Sequence, residues 1–248
     1  MSLKDKGIIV TGAGRGIGKA SALALAKQGA KVAVVDINFN NAEQSARDIE
    51  ALNGECIPIA ADISLEDDTF KMVEMIMDRY KRIDVLINNA ALWNRKSFDE
   101  ISVNEWDLVM AVNLRGTFLS IKAVYPIMKE QGYGKIINIA STVALFGSPF
   151  YLHYVTSKAG IIGLTRALAK EVGKYGIRVN AVAPGLTETE GSMESISQER
   201  FSELASQTVL KRVAKPEDLI GTILFLASSE SDFITGQTIV VDGGHVFH

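Results

Sequence analysis

Gly7-Ile-Ile-Val-Thr-Gly-Ala-Gly-Arg-Gly-Ile-Gly18 opens the chain with an apolar strand that runs into a glycine-rich turn and then an Ala-rich helical segment. Glycine permits a tight turn and leaves room beside the backbone for pyrophosphate, while the following helix offers free N–H groups at its N-terminus. The strict string G-x-G-x-x-G is not met, because Ile17 stands where its last glycine would fall; what is present is Thr11-Gly12-x-x-x-Gly16-x-Gly18. The order strand, turn, helix points to a dinucleotide, with Gly12, Arg15, Gly16, Ile17 and Gly18 as candidate contacts.

Outward from this turn, short β-branched runs recur at Gly7–Thr11, Lys31–Asp36, Glu55–Ala60, Ile83–Asn88, Lys135–Ala140, Ile177–Ala183 and Gln237–Val241. Each is nearly continuous in apolar residues, as expected of strands buried on both faces. Between them the period is helical. Val73, Ile76, Met77 and Tyr80 form one apolar stripe, Ser64 with Asp67 suggests a capping box before it, and Pro216-Glu217-Asp218 suits the first turn of a helix ending near Ser228. This alternation predicts right-handed crossovers and an α/β, Rossmann-like, doubly wound parallel sheet of about seven strands, with helices on both faces, as one domain over residues 1–248. The least structured stretch runs from Leu186 to about Ser197, beyond a strand's carboxyl end, and predicts a substrate-side loop at about 186–205.

Composition narrows the function classes. The 248 residues are 47% hydrophobic and 7% aromatic, with 26 basic and 29 acidic residues evenly mixed and no basic stripe for nucleic acid. Cys56 is the single cysteine, so no intrachain disulfide forms and a reducing compartment is expected. His153, His245 and His248 show no metal-ligand spacing. No uninterrupted apolar run approaches the roughly 18 residues of a membrane span, and the charged N-terminus lacks a signal-peptide core, so a cytoplasmic protein without a membrane partner is expected.

Asp36 ends the second strand eighteen residues past Gly18, close to the ~20-residue spacing of an acid that binds the adenosine ribose. A carboxylate there accepts from the 2′-hydroxyl and repels a 2′-phosphate, which favours NAD; Arg15 keeps NADP open. Farther on, Tyr154 and Lys158 stand at i and i+4 on one helical face, with Ser141 thirteen residues upstream of the tyrosine. An ammonium beside a phenol favours its ionisation.

In these motifs the chain resembles the short-chain dehydrogenase/reductase family, and the resemblance covers nearly the whole sequence. The glycine turn matches the family's T-G-x-x-x-G-x-G motif, and Asp62-Ile63 is similar to its adenine-contacting pair. Asn88-Asn89-Ala90 matches N-N-A-G, with Ala91 in place of the glycine; Asn113, Ser141, Tyr154 and Lys158 match the catalytic tetrad. Pro184-Gly185, with Thr187 and Thr189, matches the segment near the nicotinamide. The resemblance implies hydride transfer in which Tyr154 is the acid or base, Ser141 holds the substrate oxygen, Lys158 supports phenol and nicotinamide ribose, and Asn113 places a water that links Lys158 to solvent. For tyrosine, with a reference pKa of ~10, to act as a base near neutrality, roughly 3 units or about 4 kcal/mol must be supplied. It also places Leu92-Trp93-Asn94, Thr142-Val143, Phe146, Phe150-Tyr151, Leu186 and Met193 around the substrate, implying a hydrophobic, cyclic or aryl-substituted secondary alcohol or ketone. A 3-oxoacyl thioester reductase using NADPH is the alternative enzyme, and a non-catalytic cofactor sensor a minor one. Arg95 offers an anion contact, whereas His153 and Cys56 read as structural.

Assembly is also expected. Ile161, Ile162, Leu164 and Leu168 occupy more of their helix than one sheet face needs, and the family pairs this helix with the one from about Asn113 to Lys129 across a two-fold axis. With the apolar C-terminal segment forming a second contact, a homotetramer follows. Light scattering at micromolar concentration should give four times the 26.9 kDa chain mass; a one-subunit mass would overturn the expectation and a dimer would remove the second contact.

Overall fold

The computed structural model of the chain describes residues 2–247; His248 lies outside them. Seven strands, β1 Gly7–Thr11, β2 Lys31–Asp36, β3 Glu55–Ala60, β4 Val85–Asn88, β5 Gly134–Ile139, β6 Ile177–Pro184 and β7 Thr238–Val241, form one sheet in the order β3-β2-β1-β4-β5-β6-β7. Every neighbouring pair is parallel. The strand order reverses direction between β1 and β4, so a crevice opens outside their carboxyl ends.

Alternate side chains of each inner strand go to opposite faces. Ile8 and Val10 of β1, with Val32 and Val34 of β2, pack under α1 (Gly16–Lys27), α2 (Phe39–Glu50) and α10 (Pro216–Ala227). Ile9, Ala33 and Val35 pack on the other side with α3 (Glu66–Tyr80), α5 (Gly116–Gln131) and α7 (Leu152–Val172). Two-sided burial accounts for the continuous apolar runs of the central strands. The edges depart from it: Glu55 and Ala60 of β3 are exposed and β7 is only half-buried, since an outermost strand lacks cover along one side.

Three local expectations are corrected. Ser64 forms no capping box; its hydroxyl turns back to Asp62 Oδ1 at 2.7 Å, and α3 starts at Glu66. The segment beyond β6 is not loop, because Thr189 caps a short helix α8 (Glu190–Ser195), followed by α9 (Gln198–Gln207). Ile161 and Ile162 are covered within the subunit, whereas Leu164 and Leu168 of the same helix are half-buried, and Phe118 (51%) and Phe247 (83%) are exposed. Residues 103–131, comprising α4 (Val103–Met110), a π-helical turn (Ala111–Arg115) and α5, are long and apolar enough to cross a membrane, but half of that apolar window is buried against the rest of the chain, as in a core helix.

Opposite the crevice, the buried Lys135 of β5 donates to Ser231 Oγ (2.8 Å) and to the Ser228 carbonyl just after α10, and pairs with Asp232 at 2.8 Å. Removing the ammonium would take one donor from that carbonyl, leave the Asp232 carboxylate without its cation and open a cavity. Lys135→Ala should cost about 3 kcal/mol and lower the thermal midpoint by about 6–12 °C in calorimetry. An unchanged midpoint would show that the ammonium holds nothing together.

Candidate active site

The crevice at the sheet's reversal is a cleft of about 1040 Å³ that joins a polar, glycine-lined half to an aromatic half. It is framed by a clasp between β1 and β4. The Thr11 hydroxyl accepts from the N–H groups of Asn89 (3.0 Å) and Ala90 (3.2 Å), while Asn89 Nδ2 donates to the carbonyls of Thr11 and Gly12, both at 3.0 Å. Gly12 has φ +62°, and a Cβ there would meet Ala90 Cα at 2.7 Å, so only glycine lets the two turns approach this closely.

Most of the residues singled out for the cofactor line this cleft: Gly12, Arg15, Gly16, Ile17, Asp36, Asp62, Ile63, Asn89, Ala90, Tyr154, Lys158, Pro184, Gly185, Thr187 and Thr189. Gly18 does not. It faces inward, where a Cβ would lie 2.1 Å from the Gly12 carbonyl, so its service is helix packing. Asp36 accepts from Gly14 N–H through Oδ2 and from Asn38 N–H through Oδ1, both at 3.0 Å. A carboxylate has about four acceptor sites, so two remain for ribose hydroxyls. Arg15 stands 3.7 Å from Glu194 of α8, with side chains 59% and 68% exposed, a weak pair. The Gly16 N–H, at the uncapped start of α1, donates to Glu190 Oε2 at 3.0 Å. An anionic group therefore fits the glycine turn, because a carboxylate already occupies it.

In the other half, Ser141 at the end of β5 and Tyr154 and Lys158 of α7 converge. Lys158 is buried and donates to the Ile139 carbonyl at 2.6 Å, with its Nζ 5.7 Å from the centre of the Tyr154 ring. Burial pushes the Lys158 ammonium down to about 8. Burial also pushes the Tyr154 phenol up to about 12, against the lowering effect of its hydrogen bond with Ser141. The expected depression of the phenol is therefore absent from the protein alone: desolvation outweighs the lowering by Ser141.

Asn113 lies in the π-helical turn and does not line the cleft. Its Oδ1 accepts from Leu92 N–H (2.7 Å), and its Nδ2 donates to the Leu92 carbonyl and to Ser157 Oγ, both at 2.9 Å. Ser157 donates in turn to the Tyr154 carbonyl at 2.7 Å. The amide holds these protein groups and thereby fixes the first turn of α7 against the Leu92 loop. Of the substrate candidates, Trp93, Ser141, Val143, Phe150, Tyr151 and Leu186 line the aromatic half, as do Leu92 and Phe146. Trp93 packs on Tyr151 at 6.4 Å between centroids, and the Arg95 guanidinium lies 4.0 Å over Phe150. Asn94 instead bonds His153 Nε2 at 2.6 Å, and Met193 faces a neighbouring hollow. Sequence reasoning missed Thr11, Ser157, Glu190 and the C-terminal Asp242 and His245, which fold back into the cleft lining. Thr11 and Ser157 carried a signal in their adjacency to motif residues; the others carried none.

A family model described as Enoyl-(Acyl carrier protein) reductase matches residues 12–246. The 3-oxoacyl-[acyl-carrier-protein] reductase FabG of Thermotoga maritima is 40% identical, over 99% of this chain and 100% of that one. The chain is a short-chain dehydrogenase/reductase. A solved member of this family from Mycobacterium marinum superposes with a TM-score of 0.95 at 33% identity, covering 100% of this chain and 98% of its own. Within the family, the (2S)-[(R)-hydroxy(phenyl)methyl]succinyl-CoA dehydrogenase subunit BbsD of Thauera aromatica is 37% identical over 98% of each chain. As a family member the protein is an oxidoreductase of the nicotinamide-dependent kind.

The high phenol pKa has a direct readout. Without cofactor, the tyrosinate absorbance difference between wild type and Tyr154→Phe should stay flat until above pH 11, because the folded pKa of about 12 keeps the proton on at lower pH. A difference developing near pH 8 would show that Lys158 prevails over burial.

Proposed function

We propose that the protein reversibly reduces a 3-oxoacyl thioester to its 3-hydroxy form, with NADH as hydride donor. The observation that carries oxidoreduction is the convergence of Ser141, Tyr154 and Lys158 in one cleft with the glycine turn and Asp36. The thioester is supported by the Thermotoga and Thauera relatives, whose names specify an acyl-carrier-protein and a coenzyme A thioester. NADH over NADPH is supported by Asp36 at the end of β2 and by the position of Arg15 beside Glu194.

Gly12, Gly16, Ile17 and Asp36 would hold the nicotinamide cofactor along the cleft, where it would supply the hydride for the carbonyl carbon. Ser141 donates a hydrogen bond to the substrate oxygen and stabilises the charge that develops there. Tyr154 gives its proton to that oxygen. The phenol, pushed up by burial, keeps its proton until charge develops on the substrate oxygen that takes it. Lys158, anchored on the Ile139 carbonyl, holds the phenol's surroundings positive as the proton leaves. Asn113 acts through Ser157 and the Leu92 backbone, setting the tyrosine against the substrate wall.

A second reading, a cyclic or aryl-substituted secondary alcohol or ketone without a thioester, is favoured by the aromatic lining of Trp93, Phe146, Phe150 and Tyr151. The Thauera relative's name combines both features, a phenyl-bearing carbinol on a coenzyme A thioester. The proposal includes the homotetramer, with exposed Phe118 and Phe247 available to its contacts.

Initial rates with acetoacetyl-CoA and with matched free ketones, read with NADH and NADPH in parallel, test this directly. The kcat/KM with NADH should exceed that with NADPH at least about tenfold, roughly 1.4 kcal/mol, and Asp36→Ala should narrow the ratio. A preference for NADPH would overturn the cofactor assignment, and faster turnover of an aryl ketone than of the thioester would move the substrate to the second reading.

A further inference from the structure

The first free donor of α1, the Gly16 N–H, lies where the glycine turn leaves room for a diphosphate, and it is already engaged by Glu190 Oε2 at 3.0 Å. Beside it, Arg15 faces Glu194. Both carboxylates belong to α8, whose N-cap Thr189 abuts the turn so closely that a Cβ on Gly16 would lie 3.3 Å from its Cγ2. One short helix thus sets two negative charges against the two groups best able to hold a phosphate.

We propose that Glu190 determines cofactor affinity by occupation: its carboxylate holds the diphosphate position at the N-terminus of α1 and leaves when a dinucleotide binds. The inference rests on reading this cleft as a dinucleotide site. The donor that a diphosphate oxygen needs is the one that Glu190 engages, and like charges at contact distance repel. Every binding event therefore exchanges one anion for another, and the apparent affinity falls by the fraction of molecules in which the position is taken. Release is helped by the same exchange run backwards. An acidic residue in the first turn of α8 also suits that helix's own dipole, which accounts for the residue type. It does not account for a contact made across 174 residues of sequence to a single backbone N–H.

Titration calorimetry of wild type and Glu190→Gln with NADH, ADP-ribose, inorganic diphosphate and adenosine separates this from a general loosening. Gln keeps the shape and removes the charge. Affinity for the three diphosphate-bearing ligands should rise about fivefold, with the gain shrinking at high salt, while adenosine is unaffected. Glu190→Ala should shift affinities in the same direction, and thermal unfolding without ligand should match wild type for at least one of the two variants. Unchanged or weaker ADP-ribose binding in both variants would overturn the inference, as would an equal gain for adenosine. If wild type and variants bind no dinucleotide at all, the reading of the cleft falls first and the inference with it.

Discussion

The clasp between Thr11 and Asn89 is the contact on which the functional end of this molecule depends. Four hydrogen bonds tie the last residue of β1 and the first of the glycine turn to the segment leaving β4. Because the strand order reverses between these two strands, their connections depart to opposite faces and would otherwise leave carbonyls and N–H groups unpaired in the crevice. The clasp satisfies those groups and fixes the width of the opening. The conformation of Gly12 and the inward packing of Gly18 are both consequences of how closely the two segments approach.

Opposed electrostatic effects shape the other half. Lys158 and Tyr154 are desolvated together, which weakens the acidity of the phenol and the basicity of the amine at once. The pair is therefore not a preformed ion pair waiting for substrate. The lysine has its carbonyl anchor and the phenol its Ser141 hydroxyl, and the protein contributes position more than charge. The proton leaves the phenol only as negative charge develops on a bound substrate oxygen, so proton transfer is linked to occupancy of the cleft.

The central strands were legible because burial on both faces leaves a run of β-branched residues with little else in it. Their ends were less so: β4 begins at Val85 and not Ile83, and β5 ends at Ile139 and not Ala140, although backbone hydrogen bonds to the neighbouring strands still reach Asp84 and Ala140. Ser64 misled because a serine followed by an acid has two partners in reach, and Asp62 took the hydroxyl. Most of the cofactor half was legible as a short, ordered string. Asn113 was legible as a position but not in its partners, which come from Leu92 and Ser157, far away in sequence. Glu190 and the returning C-terminal Asp242 and His245 had no local pattern, because only the folded chain brings them to the cleft.

The central claim is that one phenol delivers the proton while the rest of the cleft binds and orients. Single-turnover absorbance at the reduced nicotinamide band, comparing wild type with Tyr154→Phe under equal NADH occupancy, tests it most directly. The account predicts that NADH binds both proteins alike and is consumed by a 3-oxoacyl thioester only in wild type, with the variant slower by at least a hundredfold, about 2.7 kcal/mol. A variant that turns over within a few-fold of wild type would contradict it.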